Sequence, residues 1–114
     1  MKFTVHKSDI TEAVSNIQRA VSTKTSIPAL EGILLTAGGG ELELCAYDLE
    51  LGITTIIPAQ VQEDGRSVLS AKIFSDIVRR TPDESITITV DEKNMASIES
   101  GNSFFTIIGI PAVE

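Results

Sequence analysis

The chain has 114 residues, enough for one ordinary domain with its own core, and its 42% hydrophobic and 22% charged content is that of a globular polypeptide, not a disordered one. It is acidic, with 16 Asp and Glu against 9 Lys and Arg for a net charge of −7, which argues against a surface that is basic all round. A single cysteine, Cys45, excludes an internal disulfide, and a single histidine, His6, excludes a histidine-rich zinc cluster and a histidine-based catalytic triad.

Residues 2–5, "KFTV", read as a strand, and 8–21 as a helix opened by Ser8 or Asp9, with Ile10, Ala13, Val14, Ile17 and Val21 along one apolar face. A loop over 22–28 ends at Pro28. Strands follow at 32–37 and 41–47, joined by the glycines at 38–40, and at 51–61, after which the polar run 62–65 breaks the pattern. Beyond it come a strand at 67–70, a helix at 71–80 and strands at 85–90, 95–100 and 103–110. His6 reads as a solvated or capping residue and Cys45 as a packing residue. No apolar run reaches the length of a signal peptide or membrane span, so a cytoplasmic protein with no membrane partner is expected.

The order strand, helix, three strands occurs twice. A shift of 64 positions aligns Val5 with Leu69, Ile10 with Phe74, Ala13 with Ile77 and Val14 with Val78, which points to one domain over 1–114 made of two half-repeats, about 1–61 and 66–114. Such units bury their helices on one face of antiparallel sheet, an α+β fold.

Charge is unevenly placed. Residues 7–24 and 71–80 hold Lys7, Arg19, Lys24, Lys72, Arg79 and Arg80 against Asp9, Glu12 and Asp76, whereas the remainder is strongly negative. If both helices share a side, one surface is mildly basic and the others repel polyanions, which suits a protein that meets DNA on one face. Arg79 and Arg80 also end a helix, where cations favour the negative end of its dipole, so helix stability is a competing explanation. Lys72, Ser75, Asp76 and Arg79 fall on one stripe opposite Ile73, Phe74, Ile77 and Val78. With no aromatic platform and no base-reading amide on that stripe, any nucleic-acid contact would be to phosphates and independent of sequence.

Three functional classes compete on the residues alone. Asp48 and Glu50 could be offered as a catalytic carboxylate pair, yet no nucleophile, base or metal ligand accompanies them, so no catalytic residue, cofactor or metal is expected. An acidic protein–protein interaction module that does not bind DNA is an alternative, and a solitary domain with its own role is another. The segment 103–108, "SFFTII", is apolar on both sides: Phe104, Thr106 and Ile108 point one way, Phe105 and Ile107 the other. A one-sided sheet buries one set, and the other calls for a partner.

"MKFTV" at the start, the threonine, Ile-Pro and leucine of 23–30, "DLE" at 48–50, "SAKIFSDIVRRTP" at 70–82 and "SGNSFF" at 100–105 together resemble, in order and spacing, the N-terminal domain of the bacterial DNA polymerase III beta subunit, the sliding-clamp family. The resemblance spans essentially the whole chain. It implies the DNA-clamp fold and a non-catalytic processivity factor whose ring of head-to-tail subunits encircles duplex DNA. It further implies that DNA polymerase III and the clamp loader are bound through domains absent here. By the same resemblance Lys24, Lys72 and Arg79, with Arg80 added, face DNA phosphates, and Phe105 and Ile107, joined by Ile77, pack across the subunit boundary. Deprived of that neighbour, the chain is expected to self-associate weakly through 103–108, with Ile107→Lys abolishing the contact without disturbing the fold.

Overall fold

The computed structural model describes residues 1–18, 32–47 and 52–109. In chain order these form β1 (Lys2–His6), α1 (Lys7–Ile17), β2 (Gly32–Gly38), β3 (Glu41–Tyr47), β4 (Gly52–Pro58), β5 (Gln60–Glu63), β6 (Gly65–Ser70), α2 (Ala71–Arg80), β7 (Ser85–Val90), β8 (Met95–Ser100) and β9 (Ser103–Ile108).

The strands divide into two sheets where the sequence suggested a single layer. One runs β5-β1-β7-β8-β9 and the other β4-β3-β2-β6, antiparallel throughout. The reason is an exchange of strands. β1 leaves β2, β3 and β4 and pairs with β7, Lys2 opposite Thr89 and His6 opposite Ser85, with β5 on its other side; β6 leaves the strands that follow α2 and pairs with β2, Gly32 opposite Ser70 and Ala37 opposite Gly65. Each sheet is thereby assembled from both halves of the chain.

Both helices bury one face in a shared core. α1 contributes Ile10, Ala13, Val14 and Ile17, and packs on β1, β3, β4 and α2; α2 packs on β2, β6 and β9 and contributes Ala71, Phe74 and Val78. Between helices and sheets lie Phe3, Ile33, Leu35, Leu42, Leu44, Leu69, Ile86, Ile88 and Ile98, all fully buried. The strands alternate as half-buried sheet should, β7 burying Ile86, Ile88 and Val90 and exposing or half-exposing the residues between.

Boundaries differ from the sequence reading in several places. The strand expected over 51–61 is two. Pro58 has no N–H to continue the ladder, Ala59 N donates to Gly40 O at 3.0 Å, and the chain then crosses to the other sheet as β5, beside β1. The residues taken as a breaker are mostly strand, since Gln62 and Glu63 belong to β5 and Gly65 opens β6. A side chain at Gly65 would stand 2.7 Å from the Met1 Cβ, so the approach of β1 to β6 requires glycine there. The first helix starts at Lys7, earlier than Ser8 or Asp9 would cap it, with His6 at the N-cap and no side-chain cap bond. The second is capped by a residue the sequence reading left in the preceding strand: Ser70 Oγ accepts from Ile73 N at 3.3 Å.

Candidate functional site

The exposed cations of α2 begin with its phase. The sequence placed Ser75 on the polar stripe and Ile73 in the core, but the helix buries Ala71, Phe74, Ser75 and Val78, leaving Ser75 at 2% and Ile73 at 48% exposure. Both phases share Phe74 and Val78. The realised one turns its two smallest residues, Ala71 and Ser75, inward, and the solvent side then carries Lys72, Ile73, Asp76, Arg79 and Arg80.

Lys72, Arg79 and Arg80 are all exposed. Arg79 Nη2 donates to Asp76 Oδ1 at 2.9 Å, one helical turn back, with both side chains about half exposed. Among the described residues no ion pair engages Lys72 or Arg80. Lys24, the remaining DNA-facing candidate, lies outside the described residues, as do Arg19, Asp48 and Glu50.

Lys7 does not belong to this cationic surface, although the sequence count included it. Its Nζ donates to Thr81 O at 2.6 Å and reaches Arg79 O at 3.5 Å, so the ammonium sits on the last carbonyls of α2. That is where a cation complements the helix dipole and satisfies groups with no partner inside the helix. Thr81 completes the terminus, its Oγ1 donating to Val78 O at 2.7 Å. A residue of the first half of the chain thus fixes the end of the helix that presents Arg79 and Arg80.

The second group of candidates lies at β9, an edge strand. Ile107 is 5% exposed and belongs to the core; Phe105 and Ile77 are half-buried and pack against it. The domain therefore covers Ile107 by itself, and the expectation that Ile107→Lys would spare the fold is corrected: an ammonium there would be buried among apolar side chains. The apolar residues that β9 shows to solvent are Phe104, 64% exposed, and Ile108, 74% exposed. With Ile56 and Ile73 they are the large apolar side chains exposed among the described residues. The alternation in "SFFTII" was visible, but which face meets the helices depends on the sheet pairing.

Among the described residues no cluster of His, Cys, Asp and Glu is placed to hold a metal ion, and no helix is long and apolar enough to cross a membrane. The Cys45 thiol is buried and accepts from Thr54 Oγ1 at 3.3 Å.

Comparison with known proteins gives this arrangement a family. Residues 1–114 match the family described as DNA polymerase III beta subunit, N-terminal domain. The chain belongs to that family. The beta sliding clamp of Synechocystis is 38% identical over 120 residues, covering 98% of this chain and 31% of that protein, and that of Bacillus subtilis is 32% identical, covering 100% and 32%. Among solved structures, the Bacillus subtilis DNA polymerase sliding clamp superposes with a TM-score of 0.95 at 32% identity over 98% of this chain and 32% of its own. A putative DNA polymerase III beta subunit from Eubacterium rectale gives 0.92 at 40% identity over the whole of this chain and 33% of its own. The two helices and two antiparallel sheets are those of the sliding clamps, and the chain spans about a third of the length of the relatives it matches.

Proposed function

We propose that this chain works as the first domain of a replicative DNA sliding clamp: a ring, closed by a second subunit arranged head to tail, that encircles duplex DNA and keeps DNA polymerase III on its template. The observation that carries the reading is the outward face of α2. In a chain of net charge −7, it is a helix surface where Lys72, Arg79 and Arg80 stand exposed together. Such a face attracts phosphates without reading bases, and the acidic remainder repels the duplex, so DNA is centred and not gripped. Lys24 is proposed as a further phosphate contact, and Ile77 and Phe105, which keep part of their surface, as contacts to the neighbouring subunit. The clamp loader and polymerase would bind elsewhere on the full-length protein, and the reading assigns this domain no chemistry, cofactor or metal.

The test uses the full-length protein carrying this domain. With Lys72→Ala and Arg80→Ala combined, retention of loaded rings on nicked circular DNA, followed by gel filtration, is expected to fall several-fold while ring assembly is unchanged. Retention equal to that of the parent would overturn the assignment of α2 to the DNA side.

A further inference from the structure

α1 turns a stripe of Ser8, Glu12 and Ser15 to solvent. Glu12 stands about 200° around the helix from both Ile10 and Val14, which the helix buries. Ser8 and Ser15, at i−4 and i+3, lie beside it, and all three are exposed. The outer faces of α1 and α2 are neighbours. The helices pack on each other and bury their inner faces in one core, and Lys7, at the start of α1, reaches the carbonyls of Arg79 and Thr81 at the end of α2. Glu12 follows Lys7 by about 7.5 Å of helix rise.

The two faces carry opposite charge. α2 presents Lys72, Arg79 and Arg80. The open groove along α1 is lined by the carboxylates of Glu12 and Glu84 and by Ser8, Thr11 and Ser15, and its one lysine, Lys7, has its ammonium on α2. Helix stability does not account for Glu12. Asp9 lies in the first turn of α1, where a carboxylate favours the positive end of the dipole, but Glu12 lies beyond that turn, where the effect has faded. Among the described residues no ion pair engages Glu12, and Asp9, at i−3, repels it.

We propose that Glu12 is the repulsive half of the DNA-facing surface: it holds the phosphate backbone off α1, so that the helices of this domain touch the duplex through α2 alone. The inference rests on the clamp reading and deepens it. Ser8 and Ser15 carry hydroxyls of the kind that bond phosphate oxygens, and the carboxylate between them denies them that contact. At physiological ionic strength its field reaches about 8 Å, so it acts on a phosphate laid against α1 and fades before Lys72, about 10.5 Å of helix rise from Arg79. An attractive helix beside a repulsive one fixes which helix the backbone follows, and it limits the number of phosphates held at once.

The test uses the full-length protein carrying this domain and a short linear duplex, onto whose ends rings can thread, in an anisotropy titration. Glu12→Lys removes the repulsion and supplies a phosphate contact. Binding at low salt should tighten several-fold, and the fall of log affinity with log salt should steepen by about 0.9, or about 3.5-fold over the interval from 50 to 200 mM. Glu12→Gln, which only removes the charge, should tighten binding by less. The circular dichroism spectrum should not change, since Glu12 is exposed. Glu99→Lys makes the same change of charge on the solvent face of β8, across the sheet from the core, and should shift affinity by less than about twofold. The inference is overturned if Glu12→Lys binds no more tightly than the parent while Lys72→Ala combined with Arg80→Ala weakens binding. It is also overturned if Glu99→Lys tightens binding as much as Glu12→Lys, which would make net charge the cause. If neither Glu12→Lys nor the α2 double variant alters binding, the assignment of α2 to the DNA side fails, and this inference with it.

Discussion

Lys7 is the residue whose removal tests how the two halves of the chain are joined. Its ammonium donates to Thr81 O at 2.6 Å and approaches Arg79 O at 3.5 Å, tying the start of α1 to the end of α2. Lys7→Met keeps the length of the apolar stem and deletes only the donor. A hydrogen bond to a charged group contributes about 1.5–3 kcal/mol, and the site is only part-buried, so water recovers some of the loss and about 1–2 kcal/mol is expected. For a domain of this size that lowers the thermal midpoint by about 4–8 °C. Urea unfolding followed by far-UV circular dichroism should show a lower midpoint with an unchanged slope. Because the acceptors are carbonyls and not carboxylates, most of the difference should survive 0.5 M salt, where an exposed ion pair would be screened. A variant as stable as the parent, or one whose deficit vanishes in salt, would refute the role of Lys7 as the cap of α2.

Ser67 is fully buried in β6 and its Oγ has no hydrogen-bond partner, so Ser67→Ala should leave stability unchanged or raise it by about 1 kcal/mol, read as the urea midpoint. Ile107→Ala should lower stability by about 2–4 kcal/mol, against less than about 0.5 kcal/mol for Ile108→Ser on the solvent side of the same strand; similar losses would contradict the assigned faces. With Lys72, Arg79 and Arg80 as the phosphate contacts, any association of the chain with duplex DNA should weaken about 40-fold between 50 and 200 mM salt in an anisotropy titration, and a flat response would count against a phosphate-directed surface. Asp76→Ala frees Arg79 from its 2.9 Å partner and should strengthen that association several-fold, while stability changes by less than about 0.5 kcal/mol because both side chains of the pair are about half exposed.

What could be read before the structure was what depends on near neighbours in the chain. The apolar stripe of α1 is a local periodicity, and the structure keeps it from Ile10 to Ile17, Val21 lying outside the described residues. The errors sit where a distant segment decides. Two helical phases through Phe74 and Val78 have the same spacing; only the close approach of α1, together with β2, β6 and β9, selects the one that buries Ser75 and exposes Ile73. The exchange of β1 and β6 between the two sheets leaves no mark within either strand, because an antiparallel partner is specified by register and not by identity. Charge follows the same logic. A count by element made the helices look richer in free cations than they are, since Lys7 is committed to the carbonyls of α2 and Arg79 is partly neutralised by Asp76. Among the described helical residues, the cations left without an ion pair or a carbonyl partner are Lys72 and Arg80. In the proposed ring this is a consequence of function more than a deficit. Each tightly held phosphate would add a barrier to sliding, whereas topology holds the duplex without any, so a sparse and partly compensated cationic face lets the ring stay on DNA and still move.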